Sequence, residues 1–386
     1  MNLEYREYRV KKIVNVYKHV DGWFWNKYSA HPYIGCRCGC EFCYLRGARY
    51  LGKRDPETFD TLIQVKLNAV ELLRKELARL PLDVINTGDW QQPAEEKYRL
   101  SRAMLEVVHE FQFPLLVIER SPFLLRDLDL LDAINKQTWV GVLLSFSYVD
   151  EKLKRAFEPH SPGIQRRLQM MAQLAQKNIR VGASFMPILP IVGDDEPHLD
   201  ETIRAVKDHG GTFVLAAGLT MDGVQAEHTL AAVEKYDASA TTRFRELYGW
   251  RANSIPTYGP PGAYHQRIGR MARELCAKHG IADRMPRYCG TGALAVNKRI
   301  AEQLHLKLYD LELARASAPR LWAYRKAAWF VDELSENIAT IFAAHGEAGL
   351  RALPNIGPSI AREIGQWLAA ESAPAAHETG KRIVNA

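Results

Sequence analysis

The sequence predicts an α/β fold built on a parallel sheet, followed by a smaller all-α domain. Three observations carry this. Apolar runs of strand length alternate with helix-period segments through the larger, N-terminal part of the 386 residues. Those runs are apolar throughout, as strands buried on both faces require. From about Asn297 onward the pattern is almost wholly helical.

Residues 1–28 read as a lead-in. A first short strand precedes a cysteine-rich loop. Strand-length runs follow at DVINT (83–87), LLVIE (115–119), VGVLLSF (140–146), IRVGASFM (179–186) and TFVLAAG (212–218). Helical patterns lie between them at about 65–80, 97–111, 126–135, 165–177 and 198–209. Six βα units emerge, within bounds of 29–260. Residues 261–296 read as a helical linker, with an amphipathic helix over about 262–280 and the turn-rich stretch RMPRYCGTG after it. Residues 297–372 form the helical domain. The remainder, 373–386, is small and polar and reads as a disordered tail.

Composition excludes several classes. Hydrophobic residues make up 47% and charged residues 25%, which rules out a disordered or fibrous chain. The net charge of +6 is compatible with a nucleic-acid partner without arguing for one. No apolar stretch approaches the ~18 residues of a membrane span, and no apolar core follows a basic start. A cytoplasmic protein with no membrane partner is the expectation.

Four of the six cysteines fall in one short stretch, at Cys36, Cys38, Cys40 and Cys43; Cys276 and Cys289 lie far downstream. Without a secretory signal this density points to a metal or catalytic site rather than to disulfides. A four-cysteine zinc site takes two pairs with a longer spacer, and no second pair follows here. An iron–sulfur cluster takes thiolates spaced along a short loop.

Cys36, Cys40 and Cys43 give C-x3-C-x2-C with Phe42 before the last cysteine, and this resembles the signature of the radical SAM superfamily. The resemblance implies that the three cysteines hold three irons of a [4Fe–4S] cluster, leaving one iron open to S-adenosylmethionine (SAM). The flanks, NKYSAHPYIGCRCGCEFCYLRGARYLG, resemble the spore photoproduct lyase-like branch. INTGDWQQPAEEKYRLSRAMLEVV, ERSPFLLRDLDLL and LLSFSYVDEKLKRAFEPHSPGIQRRLQMMAQLAQKNIRVGASFMPILPIVGDDE continue it in order, over about residues 26–215. The implied fold is a partial (β/α)6 TIM-type barrel with its chemistry at the C-terminal strand ends.

The motif residues fall at those ends. The resemblance implies cofactor-binding roles for Phe42, Thr87, Gly88, Asp89, Arg120, Ser145 and Ser147, and places Tyr44 and Asn86 near the substrate. It also implies an electron donor such as flavodoxin or ferredoxin. Three departures stand out. Cys38 replaces a histidine, and reads as a spare thiol, an alternative ligand or a neutral replacement. Arg120 replaces a lysine, keeping the charge but changing its shape. Asn86 occupies the place of the cysteine that returns a hydrogen atom in photoproduct lyases. Asparagine has no weak X–H bond to give, so an enzyme of this branch that is not a photoproduct lyase of the known type is expected. Cys276 and Cys289 read as buried, inert thiols.

Near the C-terminus, EAGLRALPNIGPSIAREIGQWL resembles a helix-hairpin-helix. The preceding AYRKAAWFVDELSENIATIFAAHG is similar to the small helical domain at the front of family X DNA polymerases. Gly357 is expected to permit the turn, and Ser359 to cap the following helix. The resemblance implies that Pro354, Asn355, Ile356, Gly357 and Ser359 grip backbone phosphates of DNA. Residues 297–372 hold nine Lys/Arg and nine Asp/Glu, so net charge is silent, although Arg320, Arg325 and Lys326 cluster. The whole reads as a radical SAM enzyme abstracting hydrogen from a nucleic acid, in DNA repair or base modification. The alternative is a protein or small-molecule substrate, with the helical domain as scaffold or dimerisation module.

Overall fold

The computed structural model describes residues 3–52, 54–88, 90–250 and 259–372. The chain divides into two compact units, Met1–Pro286 and Arg287–Ala386. Among the described residues no helix is long and apolar enough to cross a membrane.

Among the described residues the first unit carries ten strands: β1 (Glu4–Tyr8), β2 (Val14–Val16), β3 (Tyr28–Ala30), β4 (Tyr33–Ile34), β5 (Leu62–Lys66), β6 (Ile85–Gly88), β7 (Leu115–Glu119), β8 (Val140–Ser145), β9 (Arg180–Ile188) and β10 (Val214–Gly218). The main sheet runs β10-β9-β8-β7-β6-β3-β2. Its six strands from β3 to β10 pair in parallel, and β2 is an antiparallel edge. These are the six predicted strands. Helices Leu100–Glu110, Leu128–Gln137, Ile164–Gln176 and Glu196–Asp208 fall in the predicted crossovers.

Alternation along the strands sorts their side chains onto two faces. Ile85, Leu115, Val117, Val140, Val142 and Leu144 join the core formed with Leu105, Val108, Leu131, Ile134, Leu168 and Met171 of the helices. The opposite face carries Asn86, Gly88, Leu116, Leu143, Ser145 and Ser184, with Asn86 beside Leu116 and Ser145 beside Ser184 in register. That inner face is therefore apolar deep in the sheet and polar toward the strand ends.

Three expectations change. The lead-in contributes strands to both sheets: β1 pairs with β5 in a second sheet, ordered β1-β5-β4, and β2 pairs with β3. The helical pattern at 65–80 starts later, at Ala69, because Val65 and Lys66 belong to β5. The stretch 261–296 is not one linker. Helix Gly262–Lys278 buries Ile268, Ala272, Leu275 and Cys276 in the core of the first unit, and the division falls after Pro286.

In the second unit, helices Ala295–Leu313, Ala318–Glu333, Ile338–Arg351 and Pro358–Ser372 enclose their own core, from Ile300 and Leu304 to Ile360 and Ile364. Gly346 breaks the third of these, leaving a short helix ahead of the turn at 352–357.

Candidate functional site

The cysteine loop leaves the C-terminal end of β3, the first parallel strand. His31 Nδ1 lies 3.2 Å from the Gly88 carbonyl at the end of β6, and Lys66 Nζ donates to the His31 carbonyl at 2.7 Å. Gly35 turns the chain at φ +95°; a Cβ there would lie 2.7 Å from the Leu62 carbonyl oxygen. Cys36 and Cys40 are buried, and Cys38 and Cys43 half-buried. Tight backbone bonds wind the loop, from Gly39 N to Cys36 O (3.2 Å), Cys43 N to Cys40 O (3.2 Å) and Arg46 N to Cys43 O (3.0 Å).

Side chains from elsewhere then fix it. The buried Arg46 donates to the carbonyls of Gly39, Cys40 and Pro56 at 3.4–3.5 Å, and its guanidinium lies over the Phe59 ring. Gln92 Nε2 donates to Gly35 O at 2.9 Å. Gln225 Nε2 and Thr229 Oγ1 donate to Phe42 O and Glu41 O, both at 3.0 Å. His228 pairs with Glu41. Segments following β6 and β10 thus meet on one loop.

The end of β7 supplies a cation to it. Arg120 Nη1 lies 2.9 Å from Cys40 Sγ and 3.5 Å from Glu158 Oε2. Glu158, fully buried, also accepts from Arg167 Nη1 at 2.8 Å, Ser161 Oγ at 3.0 Å and Ser147 N at 3.3 Å. Burial alone would raise the Glu158 carboxyl. The Arg167 and Arg120 guanidiniums and the two serines outweigh it, holding the carboxyl down at about 2. Burial pushes the Cys40 thiol well up, against the pull of Arg120. Arg167 Nη1 also donates to Ser145 O at 2.9 Å, and its guanidinium lies over the Phe146 ring.

The donor set is all thiol, from one short loop, with the half-buried Arg120 guanidinium beside it, which fits an iron–sulfur cluster. Among the described residues no three His, Cys, Asp or Glu side chains are gathered to hold a single metal ion.

Most of the other expected site residues sit at the same strand ends. Phe42 is buried, with its carbonyl bound by Gln225. Asn86, Gly88 and Ser145 share the inner face, and Ser147 touches Glu158 through its amide. Thr87 departs from expectation: alternation turns its buried side chain to the helix-packed face, beside Ala30 and Val117. Only its backbone faces the strand end. Arg120 engages Cys40 and Glu158 through Nη1 alone. Asp89 lies outside the described residues. Tyr44 is exposed and edge-on to Tyr50 at 5.1 Å. Cys276 is buried in the core; Cys289 is half-buried, and burial pushes its thiol up to about 11.

Several motif residues prove to be scaffold. Glu95, wholly buried, accepts from Tyr33 Oη, from Ser101 N at 2.8 Å and Ser101 Oγ, and from Arg126 Nη2 at 2.9 Å. Asp127 binds Arg126, Arg102 and Gln91. This network ties β4 to helix Leu100–Glu110 and to the segment after β7.

In the second unit, the left-handed residue of the turn is Asn355, at φ +63°. Gly357, expected to permit the turn, is outside that region, and a Cβ on it would meet nothing within 4 Å. The helix begins at Pro358, so Gly357 holds the cap position and Ser359, expected as the cap, lies inside the first turn. Ala323, Lys326, Leu353, Asn355, Ile356 and Gly357 line a cleft of about 380 Å³.

No family model matches the chain. An uncharacterized protein of Mycobacterium tuberculosis is 28% identical over 262 residues, covering 66% of this chain and 75% of that protein. An uncharacterized protein of Methanocaldococcus jannaschii is 28% identical over 177 residues, covering 46% and 66%. Among solved structures, a spore photoproduct lyase mutant with bound AdoMet and dinucleoside spore photoproduct superposes with a TM-score of 0.52 at 15% identity, over 72% of this chain and 79% of that one. The fold is a partial (β/α)6 barrel. At that identity the likeness is one of architecture, and the helical second unit follows the barrel.

Proposed function

We propose that this chain is a radical SAM enzyme acting on a nucleic acid, in DNA repair or base modification. The observation that carries the reading is the thiol loop: Cys36, Cys40 and Cys43 on one turn at the end of the first parallel strand, with Arg120 against Cys40. These three would hold a [4Fe–4S] cluster. When bound, the cluster and SAM supply one-electron cleavage of the sulfonium bond and a 5′-deoxyadenosyl radical that abstracts hydrogen.

The chain's own residues prepare that chemistry. Arg46, Gln92, Gln225 and Thr229 hold the loop backbone, so the thiols are positioned before anything binds. Glu158 and Arg167 fix Arg120 beside Cys40, where its charge offsets thiolate charge out of water. Phe42, Gly88, Asp89, Ser145 and Ser147 bind and orient SAM, with Thr87 contributing through its backbone. Asn86, on the inner face, has no weak X–H bond from which to return a hydrogen atom, so the outcome differs from that of a photoproduct lyase. The dinucleoside in the spore photoproduct lyase structure supports a nucleotide-type substrate. We read the second unit as a helix-hairpin-helix that anchors DNA through its backbone, and flavodoxin or ferredoxin as the electron donor.

The test is anaerobic reconstitution with iron and sulfide, then dithionite, SAM and damaged or undamaged oligonucleotides, with mass analysis of 5′-deoxyadenosine and of the oligonucleotide. SAM cleavage with a mass change in the oligonucleotide is expected. No SAM cleavage overturns the radical chemistry. Cleavage without oligonucleotide binding or change overturns the substrate and leaves the protein or small-molecule alternative.

A further inference from the structure

The cleft in the second unit has one charged wall. Of its lining residues only Lys326 is charged, and no acidic side chain lines it. Lys326 is exposed and has no hydrogen-bond or ion-pair partner among the described residues. Its neighbour Arg325 is already committed, with Nη2 2.8 Å from Glu312 Oε1. The opposite wall is the turn, with Asn355 and an unobstructed Gly357. This is a small cleft with a free cation, an amide side chain and open backbone, and its chemistry suits one phosphate.

A second feature adjoins it. Helix Ala318–Glu333 places Trp322 one turn before Lys326 and Trp329 one turn after, on the same face. Trp322 is 48% exposed. It stands edge-on to Trp329, ring centroids 6.2 Å apart, and the Arg325 guanidinium lies 4.9 Å from its ring centroid. An exposed indole loses apolar surface to water unless something covers it. Here its ring orientation is fixed by Trp329 and Arg325, so little side-chain freedom is lost when a ring lies on it. Four residues of helix separate Trp322 from Lys326 by about 6 Å along the axis, within the reach of a nucleotide from base to phosphate.

We infer that this face binds an unpaired nucleotide strand, with a base stacked on Trp322 and a phosphate on Lys326. The inference deepens the nucleic-acid reading of the second unit and rests on it. A duplex presents phosphates but no free base face, so it engages Lys326 and leaves Trp322 unused. An acidic protein segment would satisfy the lysine but gives the indole no flat partner.

The test uses the full chain and measures fluorescence anisotropy with a labelled oligothymidylate and a labelled, fully paired two-strand duplex. W322A should weaken oligothymidylate binding roughly tenfold and change duplex binding by less than about twofold, while W322F keeps affinity within about threefold of wild type. K326Q should reduce the slope of log affinity against log salt on the single strand by about 0.7. Both positions are exposed, and unchanged thermal unfolding checks that the variants fold. Undiminished single-strand binding by W322A, or equal losses on both probes, overturns this inference alone. Wild type binding neither probe overturns it together with the nucleic-acid substrate; SAM cleavage reports on the barrel separately.

Discussion

The loop from His31 to Arg46 and the turn from Ala352 to Gly357 both reverse the chain within a few residues, and each uses a left-handed residue to do so. They differ in who completes their contacts. In the first, the chain's own groups do: Arg46 takes three carbonyls, Gln92 and Gln225 take two more, and Glu158 holds the arginine beside Cys40. In the second, Lys326 has no partner among the described residues, and open space surrounds the Cβ position of Gly357. A site finished from within sets geometry in a dry environment and responds little to salt. One left open takes its partners from outside, through exposed charge, and responds strongly.

The sharpest break of the first region is at its thiols. Replacing Cys36, Cys40 or Cys43 by Ala should abolish the visible charge-transfer band and the bound iron of reconstituted protein. Retention of both by any one variant overturns that ligand. Next is the buried charge set. Glu158→Gln leaves Arg120 and Arg167 without their carboxylate and should cost about 3–5 kcal/mol in urea unfolding. The acid limb carries a second signature. The Glu158 carboxyl sits at about 2, against an ordinary 4.5. A depressed carboxylate stabilises the fold fully above its unfolded value and loses that contribution as pH falls toward its folded one. Wild type should therefore lose about 3 kcal/mol between about pH 5 and 2 that E158Q does not lose. Parallel pH curves for the two proteins would remove Glu158 from this role.

How much of this was legible depends on range. The six parallel strands were, because continuous apolar runs such as LLVIE signal burial on both faces locally. The thiol loop was, because Cys36, Cys40 and Cys43 lie close together in the sequence. The second sheet was not: EYREY at 4–8 is polar and pairs with residues 62–66, and no local pattern announces a partner so distant. Nor was the Glu158–Arg120–Arg167 set. A signal existed, since Arg167 falls in register with Ile164, Leu168 and Met171 on the buried face of its helix. A cation there demands a buried carboxylate, although periodicity does not name which. Gly357 shows the reverse. The sequence suggested a conformational need, but the backbone met it at Asn355.

That difference between glycines gives the two smallest and most informative effects. Gly35→Ala puts a Cβ at φ +95° and 2.7 Å from the Leu62 carbonyl, both backbone-fixed, and should cost about 3 kcal/mol. Gly357→Ala meets neither obstacle. Restricting the unfolded chain favours alanine by about 0.4–1 kcal/mol, and losing a glycine at the cap position costs a similar amount. The melting temperature should therefore hardly move. Affinity for an oligonucleotide should still fall, because the new methyl group stands over the backbone that the cleft leaves open. Stability and affinity separate only if the openness at Gly357 serves a ligand; if both stay unchanged, the turn is an ordinary connection between helices and the anchoring role passes from it.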